Sequence, residues 1–301
     1  VDSSVAFITS RRDPKIMPDD QSLAQALETR GYAVSPVPWG SDLSGYSLSV
    51  FRSCSDYPED IVAFSSWLDE IETSNFPVLN SPEVVRDNAD KGYLVKLSAR
   101  GLPTIPTVRL APGEELASPD LMGLFPGQPV VIKPAVATRG MHAVLASSLE
   151  DARSGTEMLK TQPMLVQPYM PEIREGEISF VFFNGEFSHA VVKTPAAHDF
   201  RVQPRHGGSR SPYNPDMGLV REALHILKHA VPVMPCYARV DGLVHKKKLL
   251  LMELELIEPC VFLSSCRHAA DRFGEAVHAA VATRPHLREV ERYDRARNLT
   301  P

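Results

Sequence analysis

Residues 237–259 read YARVDGLVHKKKLLLMELELIEP, a hydrophobic ladder carrying three carboxylates, Asp241, Glu253 and Glu255, where a plain core strand carries valine or isoleucine. Asp241 lies near the end of one β-like run. Glu253 and Glu255 stand two apart on a second, so strand alternation turns both glutamates to one face. Lys246 to Lys248 sit where a hairpin turn joins the runs, which lets the three acids converge on one spot. Buried acids must be neutralised by protons, bases or metal. Hard oxygen ligands on one sheet face suit Mg²⁺, which keeps some waters and is usually shared with nucleotide phosphates. The competing reading is a pair of solvent-facing glutamates on an edge strand. Arg239 just upstream, and the lysine-bearing segments described below, favour metal.

With 301 residues, 43% hydrophobic and 23% charged, the chain is long enough for two or three subdomains and is not of disordered composition. The net charge is −5 and no basic tract exceeds those three lysines, which argues against nucleic acid as a partner. No apolar run approaches the roughly 20 residues needed to span a bilayer, and the N-terminal residues lack a signal-peptide pattern. A cytoplasmic protein with no membrane partner is expected. Cys54, Cys236, Cys260 and Cys266 show neither a C-x-x-C pair nor zinc-like spacing, so free structural thiols are expected.

Strand VAFIT, a loop from Ser10 to Pro18, and a helix capped by Asp19 or Asp20 and ended by Gly31 open the chain. Strands AVSPVPW and LSVFRS follow. Asp56 and Pro58 then open a helix in which Ile61, Phe64, Leu68 and Ile71 repeat at helical spacing. This alternation predicts a parallel-sheet α/β domain over residues 1–80. Helical stretches from Pro82 to Arg100, strands TVRLA, PVVIKPA and HAVLA, a polar helix from Leu149 to Lys160 and strand MLVQPYM make a second, α+β unit over 81–172. In the third unit, 173–301, Asn184-Gly185 divides EISFVFFNGEFSHAVVK into a hairpin. A helix near Pro215 to His229, the carboxylate hairpin and a helix from Arg267 to Ala282 follow. The tail past Arg284 is expected to be mobile or loosely docked.

Lys133 ends the apolar strand VVIKPA, and ATRGM after it supplies Arg139 and Gly140 to a short loop whose backbone N–H groups can close over phosphates. A strand-end lysine that snorkels to the surface is the alternative. Gln167, Pro168, Tyr169 and Met170 end a later strand, where extended backbone and an amide side chain could read an adenine edge. Glu177 begins the next strand and could accept from ribose hydroxyls.

Lys91 in NADKGYL, then GLPTIPT, Lys133 in VVIKP, QPYM, Gly176-Glu177, ARVD and the ELE of MELELIEP occur in the order and approximate spacing of ATP-grasp carboxylate-amine ligases, which this chain resembles over roughly residues 80–280. The resemblance implies an ATP-grasp fold with ATP between two closing α+β subdomains. It also implies phosphate contacts from Lys91 and Lys133, adenine contacts from Gln167 to Met170, ribose at Glu177, and two Mg²⁺ held by Asp241, Glu253 and Glu255. DFRVQPRHGG looks like a segment of glutathione-synthetase-like and glutamate-ligase-like members. By that likeness Arg201, with Lys193 on the preceding strand, faces the γ-phosphate and the acceptor carboxylate. Arg205 and His206 read equally well as a solvated loop. Two features depart from the pattern: Glu253-x-Glu255 replaces the usual Glu-x-Asn, and the phosphate loop has few glycines.

The implied activity is phosphorylation of a carboxylate to an acyl phosphate that nitrogen attacks, with Arg239 and Arg201 stabilising charge. The implied partner is a small amino-acid-like carboxylate substrate. Members of the family are often dimers, so a homodimer is a further expectation, although no stripe of residues marks an interface. Acceptor specificity is expected from loops at strand carboxyl ends, where Arg11, Arg12, Arg52 or Ser53 could hold a carboxylate and Asp13 or Asp56 an amino group. SPEVVRDNADKGYL, VQPYMPEI and GEFSHAVVKTPA are similar to a bacterial group within the superfamily that includes the D-cycloserine-forming ligase. That likeness implies ring closure of O-ureido-D-serine. A dipeptide-forming ligase and a non-catalytic nucleotide-binding regulator are the alternatives.

Overall fold

Strand pairing in the computed structural model, which describes residues 3–112, 114, 123–157 and 161–282, gives three sheets among those residues. Strand β1 (Ser3–Thr9), helix α1 (Gln21–Glu28), β2 (Tyr32–Pro38), β3 (Leu48–Ser53), α2 (Ile61–Thr73) and β4 (Val78–Leu79) form a parallel sheet in the order β2-β1-β3-β4. Two details differ from the sequence reading. Asp20 stands at the start of α1 but its side chain does not cap it, because the carboxylate is buried against Arg52 at 2.7 and 2.9 Å. Asp60, not Asp56, caps α2, accepting from the Ala63 N–H at 3.1 Å, while Asp56 accepts from the Trp39 indole at 2.8 Å.

Helices α3 (Pro82–Ala89) and α4 (Tyr93–Ala99) lead into β5 (Val108–Leu110), β6 (Val130–Pro134), β7 (Val144–Ala146), α5 (Leu149–Glu157) and β8 (Met164–Pro168). These strands make an antiparallel sheet in the order β5-β8-β6-β7, with its own core of Leu110, Val130, Ile132, Ala152 and Val166. Residues 158–160 of the expected polar helix, and the tail past Arg284, lie outside the described residues.

The third sheet, β11-β10-β9-β12-β13, holds β9 (Glu177–Phe183), β10 (Glu186–Thr194), β11 (Ser209–Tyr213), β12 (Tyr237–His245) and β13 (Lys248–Glu255), with α6 (Met217–Ala230) before β12 and α7 (Ala269–Ala282) after β13. Asn184 and Gly185 turn the β9–β10 hairpin with φ of 48° and 79°, a conformation that asparagine tolerates and that glycine adopts freely because it has no Cβ. Strand β11 was not legible in the sequence: it is an exposed edge containing Pro212, which disrupts the pattern of a strand yet is accepted at an edge.

Phe7 and Leu48 of the first sheet and Leu23 of α1 share one core with Val181, Tyr237 and Phe273. Buried Asn80 clamps that junction, donating to the carbonyls of Tyr237 and Leu256 at 2.9 and 2.8 Å and accepting from the Cys236 N–H at 2.7 Å. Asn88 repeats the device on Leu254 and Leu256 at 2.8 and 2.9 Å. Each would leave buried backbone groups unpaired if truncated. Together they fix the end of the carboxylate hairpin beneath the loops of the first sheet.

Candidate active site

The register of the third sheet builds a charged face. Arg239 lies opposite Glu255 and Asp241 opposite Glu253, while Ser179 lies opposite Asp241 and Glu177 opposite Lys193. Alternation then puts all seven side chains on the same side of the sheet. Asp241 is in the middle of β12, not near its end, because the strand continues to His245 before Lys246 and Lys247 turn with φ of 47° and 64°.

Asp241 is 1% exposed and fully engaged. It accepts from Ser179 at 2.7 Å, from Lys193 at 2.9 Å and from the Arg239 guanidinium at 2.8 to 3.1 Å. Lys193 also pairs with Glu177, and Arg239 with Glu255 at 2.5 Å. Two cations thus serve three acids. Burial opposes the charge of each acid, but Arg239 and Lys193 together hold Asp241 below its usual range. The outer acids carry the deficit: burial pushes Glu177 and Glu255 up to about 7, against the pull of Lys193 and Arg239 respectively. Burial also opposes charge on Glu253, yet Lys91, 3.3 Å away, and Lys133 pull it below its ordinary value.

Among the described residues, no three His, Cys, Asp or Glu side chains stand as a ready-made cation cage. The expected ligands Asp241, Glu253 and Glu255 do share one face and offer hard oxygens, but Asp241 is closed off by Ser179, Lys193 and Arg239 and lines neither cavity, whereas Glu253 and Glu255 stand on a cavity wall. The pair Glu253 and Glu255 fits Mg²⁺ arriving with a nucleotide, whose phosphates and waters would complete the shell, and Asp241 would join them only by giving up a contact to Lys193 or Arg239.

Lys91, Lys133, Gln167, Pro168, Tyr169, Met170 and Glu177 line a cavity of about 110 Å³ between the second sheet and the charged face, with Gly140 and Arg201. Lys91 Nζ donates to the Ala137 carbonyl as well as pairing with Glu253. Burial pulls the Lys133 ammonium below its ordinary value, so it is no surface lysine. Gln167 spends its amide N–H on Thr107 Oγ1 at 2.8 Å. The phosphate loop packs against Gln203, and Thr138 Oγ1 ties it to the Ser55 carbonyl at 2.8 Å.

A second cavity of about 570 Å³ adjoins the first. It brings together Arg52, Ser53 and Tyr57 of the first sheet's loops, Arg139 of the phosphate loop, Lys193 and Arg239 of the charged face, and Glu253, Glu255 and Glu258. Arg201 lines the smaller cavity, held by Asp199 at 2.8 and 3.0 Å, whereas Lys193 lines the larger one. Of the proposed acceptor residues, Arg52 and Ser53 reach the larger cavity, whereas Arg11, Arg12, Asp13 and Asp56 do not. Arg11 lies 3.4 Å over the Trp39 ring, Arg12 pairs with Glu59, and Asp13 with Lys15 at 2.9 Å. Arg205 borders the larger cavity but is itself exposed, donating to the His206 ring at 3.1 Å on a solvated turn. Sequence reasoning missed Glu258 and Cys260 on that cavity's wall. Glu258 carried a signal: it is a third acid on the segment of Glu253 and Glu255, just before Pro259.

Comparison with known proteins follows the same division. Residues 5–80 match the N-terminal domain of D-cycloserine synthetase DcsG, and residues 88–258 match the RimK-like ATP-grasp domain. The cycloserine biosynthesis protein DcsG of Streptomyces lavendulae is 28% identical over 200 residues, covering 63% of this chain and 67% of that protein. The crystal structure of D-cycloserine synthetase DcsG superposes with a TM-score of 0.82 at 24% identity, over 93% of this chain and 100% of that one. A D-alanine–D-alanine ligase from Bacillus anthracis superposes with a TM-score of 0.70 at 16% identity, over 96% and 99% of the two chains.

Proposed function

The chain belongs to the RimK-like ATP-grasp family and is an ATP-grasp ligase, and on that premise we propose that it closes the ring of O-ureido-D-serine to give D-cycloserine. In this reading ATP occupies the smaller cavity, with Lys91 and Lys133 on its phosphates, the backbone of Gln167 to Met170 along its base and Glu177 near its ribose. Glu253 and Glu255, with Asp241 once it is released from its cations, would hold Mg²⁺, which would supply charge neutralisation to the phosphoryl group.

The substrate carboxylate takes the γ-phosphoryl group and becomes an acyl phosphate. The oxygen-bound nitrogen of the same molecule attacks the acyl carbon, the C–N bond forms, and phosphate leaves. Atom balance then requires the carbamoyl group to depart with one water as CO₂ and NH₃. Arg239 and Lys193 stand in the wall of the larger cavity, where preorganised cations stabilise the developing oxyanion without reorganising. Arg201, on the nucleotide side, supports phosphate binding. The reading assigns the reaction to the cytoplasm, where ATP is supplied.

The observation that carries this proposal is the acceptor-side match: residues 5–80, which supply Arg52, Ser53 and Tyr57 to the larger cavity, match the N-terminal domain of D-cycloserine synthetase. It is tested by Mg²⁺-dependent ADP release with O-ureido-D-serine as the sole acceptor, together with detection of the cyclic product. A dipeptide-forming ligase would instead release ADP only with two amino acids. A regulator would bind ATP without turnover.

A further inference from the structure

Five carboxylates line the larger cavity: Asp19, Asp20, Glu253, Glu255 and Glu258. Three have a resident cation, Asp20 with Arg52, Glu253 with Lys91 and Glu255 with Arg239. Asp19 Oδ2 accepts from the Cys260 thiol at 3.4 Å, and its Oδ1, though unpartnered, is sealed from the cavity. Glu258 has none of these: among the described residues no hydrogen-bond donor and no ion-pair partner reaches its carboxylate, although it is half-buried and its atoms border the cavity. A half-buried carboxylate without a counter-charge is unfavourable, and a site that tolerates one is complementary to a cation that arrives from outside.

We propose that Glu258 is the subsite for the α-ammonium group of the substrate, which restricts the ligase to α-amino acids. The inference rests on the ring-closure reading for the identity of the substrate. The chemistry of the wall supports an ammonium over other occupants. The cations that face Glu258, namely Arg52, Arg139 and Arg239, leave it under-compensated: burial and then Glu255 push its carboxyl up to about 8 in spite of them. Arg52 and Arg239 are already bound to Asp20 and to Asp241 and Glu255. Cys54 and Tyr57 also face Glu258, and burial with its charge holds both protonated. The guanidinium and ammonium groups of Arg52, Arg139, Arg239 and Lys193 on the other walls suit the carboxylate and ureido oxygens. Among the described acids of this wall, Glu258 is therefore the one whose carboxyl is both reachable from the cavity and without a partner. Its position just after Glu255 puts the amino group beside the charged face where the adjoining carboxylate would be phosphorylated. The two residues the sequence offered for this task, Asp13 and Asp56, are committed elsewhere, to Lys15 and Trp39.

The test is a cycle of enzyme and substrate. Wild type and Glu258→Gln are each assayed for ADP release with O-ureido-D-serine and with 3-(ureidooxy)propanoate, which lacks only the amino group. A charge-assisted hydrogen bond predicts that wild type loses about 10- to 100-fold in kcat/KM when the amino group is removed. Glu258→Gln should lose a similar factor with the amino substrate and little more with the des-amino one, while its ATP affinity and melting temperature match wild type. Equal losses on both substrates would give Glu258 a different role, and a wild type indifferent to the amino group would remove the subsite; either result overturns the proposal. If O-ureido-D-serine releases no ADP but a two-amino-acid mixture does, the ring-closure reading fails separately, and the same cycle on that carboxylate donor and its des-amino counterpart decides the subsite.

Discussion

Replacing Asp241 by asparagine removes the shared acid of the charged face and should cost more stability than its size suggests. The carboxylate is 1% exposed and receives Ser179, Lys193 and Arg239 through contacts of 2.7 to 3.1 Å. Asparagine keeps one oxygen acceptor and turns an NH₂ donor toward two cations that are themselves donors. Lys193 and Arg239 retain Glu177 and Glu255, so they are weakened rather than stranded. Breaking a buried pair from one side costs about 3–5 kcal/mol, and the surviving partners place this case near the lower end, about 3 kcal/mol. Chemical denaturation followed by far-ultraviolet circular dichroism measures it. The sign with pH follows from the direction of the shift. Asp241 is held below its ordinary value of 3.8, so its contribution is complete above that pH and fades as acid protonates it in the folded state. The gap between wild type and variant should therefore begin to close as pH falls below about 4; it should also narrow as pH rises from about 5 to about 8, because the Asp241 charge helps to raise Glu177 and Glu255 to about 7 and the variant is relieved of that repulsion. A loss under about 1 kcal/mol at about pH 5 would refute the view that this carboxylate organises the face.

Three further outcomes follow from other parts of the molecule. Burial lowers the pKa of His189, whose ring lies 2.8 Å from the Val261 carbonyl and 2.9 Å from Ser188 Oγ; the folded state resists its protonation, so stability should fall as pH drops below about 6.5, and His189→Gln should flatten that dependence in melts at pH 5 and 7.5. Gly208 has room for no side chain, since a Cβ there would lie 2.2 Å from the Val202 carbonyl oxygen; Gly208→Ala should shift the loop bearing Arg201 and Gln203 and raise the KM for ATP, with the melting temperature changed by only a few degrees. Lys133→Met should preserve the fold, since it removes a buried charge from an apolar strand, while reducing kcat by at least about 100-fold if its ammonium neutralises phosphate in the transition state.

Local patterns carried much of the fold into the sequence. The Asn184-Gly185 hairpin, the period of Phe64, Leu68 and Ile71, and the alternation of Glu253 and Glu255 all depend on neighbours within a few residues, and each formed where it was expected. What stayed hidden depends on residues far apart in the chain. Asp20 reads as a helix cap until Arg52, 32 positions away, claims its carboxylate. Edge strand β11, with Pro212 and exposed side chains, has no hydrophobic period to read. The meaning of Glu258 emerges only when every other acid on the cavity wall is matched with its partner, which requires the tertiary structure.

The central claim is that this ligase activates a carboxylate for attack by nitrogen of the same molecule. The decisive measurement is ADP release with O-ureido-D-serine alone, with and without Mg²⁺, beside paired D-serine and D-alanine and their L forms. The account predicts Mg²⁺-dependent ADP release from the ureido substrate alone, accompanied by a cyclic product and ammonia. Release only from two-amino-acid mixtures, or tight ATP binding with no release from any acceptor, would contradict it.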